Sequence, residues 1–173
     1  MLGQTELEAT SAKQPDGDDK NFLLRVVQPG LAGLMDGSVS TLAPIFATAF
    51  ATHVSHTVFL VGAAAAVGAG ISMAFSEGLS DDGSLTGRGK PLVRGLITGF
   101  MTFIGGFLHT LPFLLPNVQQ ALTLAYAVVG VELLVIAYIR YRYFATNFVT
   151  SVVEVVVGGA LVFTAGVLIG SSG

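Results

Sequence analysis

Thr57–Leu79 reads TVFLVGAAAAVGAGISMAFSEGL, and Glu77 is the only charged side chain in it. A helix needs about 20 apolar residues to cross roughly 30 Å of hydrocarbon. This stretch meets that need, and four more do so on either side of it. They are Gly30–Val54, Pro91–Leu115, Val118–Ile139 and Phe148–Gly170. Residues 80–90 (SDDGSLTGRGK) form a polar loop between the second and third spans. Pro116-Asn117 is a turn between the third and fourth, and Tyr141-Arg142-Tyr143 opens the link to the fifth. His53 and His56 separate the first two spans only softly. The expected fold is therefore an all-α integral membrane protein with five transmembrane helices.

Composition agrees. Hydrophobic residues make up 52% of the 173 and charged residues 11%, against about 25% charged in a soluble domain. The mean hydropathy is +0.74. A disordered protein is excluded, and a soluble enzyme is not expected. With no cysteine, disulfides, thiolate zinc sites and cysteine catalysis are excluded. A net charge of −3 has the wrong sign for nucleic-acid binding, so no nucleic-acid partner is expected.

Two regions follow: a polar tail over 1–28 and a membrane domain over 29–171. The tail is acidic, reads as disordered, and contains no apolar run in its first 20 residues that would serve as a signal peptide. Phe22–Val27 (FLLRVV) suits a short interfacial helix, which Pro29-Gly30 would break from the first span.

All eight Lys and Arg fall on one side of a five-span topology: Lys13, Lys20 and Arg25; Arg88, Lys90 and Arg94; Arg140 and Arg142. Cytoplasmic loops collect these residues, so the N-terminus is expected inside and the C-terminus outside. The expected location is a membrane of bacterial inner-membrane type.

Four carboxylates fall within spans: Asp36, Glu77, Glu132 and Glu154. Each costs about 2.5–3.5 kcal/mol at a bilayer centre on insertion scales, which makes such residues functional by default. Counting from the span ends places all four within roughly 10 Å of the cytoplasmic boundary. At one level they would repel one another unless protons, basic side chains or a bound cation neutralise them. His109, by the same count, lies about 27 Å along span three, near the outer boundary. Arg94 and Arg140 can each reach one acid, which leaves a cation site that exchanges protons as the expected answer. The bland alternative is that Glu132 and Glu154 are protonated and hydrogen-bond between helices.

Helical spacing refines the candidates. Gly33, Asp36, Gly37, Ser40, Thr41 and Pro44 form a small, polar stripe on span one. Gly33 and Gly37 are a small-xxx-small pair suited to close helix approach. Met73 and Glu77, four apart on span two, share a face. Carboxylate alone suits Mg, Ca and Mn, and a thioether beside it shifts preference toward softer transition metals. Span three carries Gly95, Thr98, Gly99, Thr102, Gly106 and His109, where the glycines suit packing and His109 suits either a proton group or an interfacial cap. No phosphate-cradling GxxxxGK[ST], no HExxH and no ferritin-type Glu-x-x-His occurs, so neither an enzyme nor ATP-driven pumping is expected.

These residues resemble the vacuolar iron transporter family. GLAGLMDGSVSTLAPIFATAF is similar to that family's first helix, with its Asp-Gly followed by small and hydroxyl residues. ISMAFSEGLS is similar to its Ser-Met-Ala-x-x-Glu segment, and GLITGFMTFIGGFLHTLPFLLP to its Gly-Gly helix with following prolines. The resemblance covers roughly 29–170 and is greatest to the transporter half of membrane-bound ferritins. It implies a homodimer that exports Fe²⁺ or Mn²⁺ in exchange for protons, with no organic cofactor and a path lined by helices one and two. Carried over by position, it implies Asp36, Met73 and Glu77 as metal residues. Two departures stand out. The loop between spans two and three is eleven residues, not a long glutamate-rich helical extension, and only 29 residues precede span one, too few for a ferritin-like domain.

The leading expectation is thus a proton-coupled divalent-metal antiporter in a lipid bilayer. Asp36, Met73 and Glu77 from two protomers would hold the metal, and Glu132, Glu154 and His109 would serve proton coupling or the inner vestibule. The alternative is a non-transporting membrane anchor or assembly module for an iron-storage partner. A transporter of another solute, such as an organic cation, is the third.

Overall fold

The structure, a computed structural model, describes residues 17–80, 82–83, 86–144 and 146–172. Most of those residues are helical, with no strand among them. Five helices are long and apolar enough to cross a membrane. They are α1 (Gln28–Thr52), α2 (Ser55–Gly78), α3 (Pro91–Leu108), α4 (Val118–Tyr143) and α5 (Phe148–Ser171). The expected disorder of residues 1–16 lies outside the described residues.

The start of α1 differs from expectation. Residues 17–22 are helical, and Leu23–Val27 continue as a π-turn into α1 without a break. Proline in a helix normally orphans a carbonyl and clashes with the preceding turn. Here Gln28 donates its N–H to the Leu23 carbonyl, five residues back. That wider turn carries the chain through Pro29, so FLLRVV is the first part of a long helix and not a separate one. At the far end, His53 takes a left-handed conformation (φ 55°) and stops α1.

Span three also differs. Its regular helix ends at Leu108, and Leu111–Leu114 form a 3₁₀ turn before Asn117 caps α4 through its side chain. The segment that follows α3 folds inward: His109, Thr110, Pro112 and Phe113 are all buried.

Close approach of small residues sets the packing. A Cβ on Gly33 would lie 2.1 Å from the Thr98 carbonyl oxygen, and one on Gly37 would lie 2.0 Å from that of Thr102. On the other side of α3, Gly95 meets Ala74 and Gly78, while Gly99 meets Gly70 and Ala74. α3 is therefore clasped between α1, parallel to it, and α2, antiparallel. Gly166 and Gly170 of α5 seat against Ala43 and Ala47 of α1 in the same parallel sense. Between these contacts lies an apolar core around Leu42, Ile45, Phe46, Ala49, Val58 and Phe113. Every described Lys and Arg lies at the end of the bundle where α1, α3 and α5 begin.

Candidate metal and proton sites

Three of the four span carboxylates have basic partners. Glu77, near the end of α2, accepts from Arg94 Nε at 2.8 Å and from Arg88 Nη2 at 2.9 Å. Arg94 is completely buried, and its other nitrogens reach Ser80 Oγ and the Gly89 carbonyl. The tight seat of Gly95 on Gly78 brings Arg94, one turn into α3, up to Glu77. Both arginines bond Oε1, and Oε2 accepts no hydrogen bond among the described residues. Glu154, about half exposed, pairs with Arg140 across α4 and α5. Arg94 and Arg140 thus each reach one acid, as the sequence led one to expect.

The third partner is His109. Its Nδ1 lies 3.0 Å from Glu132 Oε2, and its Nε2 lies 2.6 Å from Thr41 Oγ1. The histidine is completely buried and the Glu132 side chain 5% exposed. This contact overturns the depths read from sequence. Glu132 does not share a level with the other acids, and His109 is not at the outer surface. α4 runs on to Tyr143, which puts Glu132 eleven residues, about 16 Å, from that end. The early end of α3 and the inward fold after it draw His109 into the bundle. Glu132 also lines an apolar groove of about 480 Å³ with Leu34, Leu108 and Val131, and its Oε1 has no hydrogen-bond partner among the described residues.

Asp36 stands apart. It is half-buried and makes no hydrogen bond or ion pair with any described residue. The small, polar stripe of span one divides in two. Gly33, Gly37 and Thr41 are buried against α3, whereas Asp36 and Ser40 turn to a less covered face. Met73 is half-buried on α2, one turn before Glu77. Among the described residues no three His, Cys, Asp or Glu side chains come together as a metal site. His53 and His56 are exposed.

One pairing escaped the sequence reading, and the choice of acid for Arg94 was left open by it. The pairing of Thr41 with His109 joins residues 68 apart, and nothing in local spacing marks it. The choice of Arg94 for Glu77 had a local signal in the glycines of α2 and α3, whose register sets the two side chains level.

No curated protein and no solved structure matches the chain. A model of the VIT family does match, over residues 77–171, from the end of α2 through α5. That is more than half of the sequence, and membrane metal-ion transport is what the match supports. With five membrane-length helices around this set of buried ionisable groups, the chain belongs to the VIT family.

Proposed function

We propose that the protein exchanges a divalent transition metal, Fe²⁺ or Mn²⁺, for protons across a bilayer, and that it does so as a homodimer. The observation that carries this reading is Asp36, a carboxylate within a membrane span that no described side chain neutralises. A charge in that setting needs a counter-ion. Met73 adds a soft donor and Glu77 Oε2 a free acceptor, a combination that favours a transition metal over Mg or Ca. A second copy, facing the first across α1, completes the ligand set. Glu154, held by Arg140, belongs to the vestibule, and His109 with Glu132 to proton coupling. The basic end faces the cytoplasm, because Lys and Arg stay on that side during insertion. The metal therefore leaves the cytosol, and the membrane is of bacterial inner-membrane type.

Metal ligands must be deprotonated to bind, so metal entry releases protons and an imposed pH gradient drives metal flux. The test is Fe²⁺ and Mn²⁺ flux in proteoliposomes under such a gradient, parent against Asp36→Ala. Gradient-driven flux that the substitution abolishes supports antiport through Asp36. Equal flux in both overturns the assignment.

The pairing of three acids within one chain favours a second reading, a non-transporting anchor for an iron-storage partner. Saturable Fe²⁺ or Mn²⁺ binding to the purified protein would exclude it.

A further inference from the structure

Thr41, His109 and Glu132 tie α1, the end of α3 and α4 together at the middle of the bundle. The Thr41 hydroxyl also donates to the Gly37 carbonyl at 2.8 Å. With its proton committed there, Oγ1 accepts from His109 Nε2–H, which fixes the imidazole tautomer. One proton then remains for the 3.0 Å contact between Nδ1 and Oε2. It makes either an imidazolium with a carboxylate or a neutral imidazole with a carboxylic acid, and in both forms the pair is neutral overall.

The unpartnered Oε1 of Glu132 is the place for a second proton. Its arrival leaves His109 with protons on both nitrogens and Glu132 as the neutral acid, so the pair changes from 0 to +1. Its departure restores the neutral pair. Other ionisable groups on the surrounding helices are engaged elsewhere. Glu77 on α2 and Arg94 on α3 hold each other, and Glu154 on α5 holds Arg140 on α4. Tyr126 on α4 stacks on Phe46. Asp36 on α1 lies five residues from Thr41, about 8 Å along the helix axis.

We infer that the buried Glu132–His109 pair is the carrier of the exchanged proton, with Thr41 as its positioning residue. This rests on the antiport reading above and names the coupling group within it. Exchange follows from Coulomb repulsion at short range in a medium of low dielectric. A divalent ion near Asp36 disfavours the +1 pair, and the +1 pair disfavours the ion. Proton and metal therefore occupy the protein in turn.

The test uses the full chain in proteoliposomes that carry a luminal pH dye, with metal flux read in parallel. In the parent, metal uptake moves protons the other way. Glu132→Gln is expected to lose the proton counterflow and the acceleration of metal flux by a pH gradient. Thr41→Val removes the acceptor for Nε2–H and is expected to shift the pH dependence of coupled flux to more acid values. A merely structural residue would lower both fluxes together without that shift. Infrared titration of the metal-free protein supplies a readout independent of transport: a protonated-carboxyl band that grows on acidification and vanishes in Glu132→Gln. Unaltered proton counterflow in Glu132→Gln, or absence of the band from the parent, overturns the pair's role alone. A parent protein with the band but no metal flux overturns the transport reading, and the coupling role with it.

Discussion

Arg94 carries a charge into the protein interior, and Glu77 is what keeps it there. Removing one member of a buried ion pair strands the other and costs about 3–5 kcal/mol. Arg94→Gln is therefore expected to lower the melting temperature in detergent sharply. The double substitution Arg94→Gln with Glu77→Gln should recover part of the loss, because the buried arginine and its carboxylate are then removed together. Single variants that melt with the parent would show that the pair does not support the fold. Asp36 makes the opposite prediction, since among the described residues it has no partner to strand. Asp36→Asn should abolish metal flux and leave the melting temperature within about 0.5 kcal/mol of the parent's stability, as for sites that make no special contact. The same pair of assays, melting and flux, reads both variants.

The helices are joined by absence of side chains. At Gly37 an added Cβ would sit 2.0 Å from the Thr102 carbonyl oxygen, so α1 and α3 must part to admit it. Gly37→Ala is expected to destabilise by more than the usual 1–3 kcal/mol of an overpacked site, because the obstacle is backbone. Gly130 on α4 has nothing within 4 Å of that position. Gly130→Ala should be neutral or stabilising by up to about 1 kcal/mol, through helix propensity alone. Thermal unfolding of the two variants side by side tests whether the approach of α1 to α3 is as close as described. This packing was legible in sequence where it depends on residue size: the glycines of spans one and three stood four residues apart on single faces. The ends of α1 and α3 were less so. A π-turn that carries a helix through Pro29, and a 3₁₀ turn that folds His109 inward, depend on neighbouring helices that no local pattern reveals. That is why Glu132 and His109 appeared to lie at opposite depths and prove to touch.

At the scale of the whole molecule, the five spans and the clustering of charge at one end follow from hydropathy and from Lys and Arg positions, which act locally. The proposed metal site does not, because Asp36 makes no ion pair among the described residues and its remaining ligands are proposed to come from a second copy. Ser40, one turn beyond Asp36, is exposed on α1 although it belongs to a membrane-length helix. In a twofold dimer, residues close to the axis meet their own counterparts. If two copies close over Asp36, Ser40 lies near that axis, and the two Ser40 α-carbons approach within the roughly 7 Å that a disulfide spans. The chain has no cysteine, so Ser40→Cys gives a single, unambiguous thiol. Mild oxidation in membranes is expected to yield a covalent dimer, whereas Thr123→Cys, exposed on α4, should stay monomeric under the same conditions. Cross-linking should also arrest metal flux, since the path would run between the joined helices, and a reductant should restore it. A Ser40→Cys protein that transports metal fully yet never cross-links would place the metal path within one copy, and would require Asp36 to find its remaining ligands there.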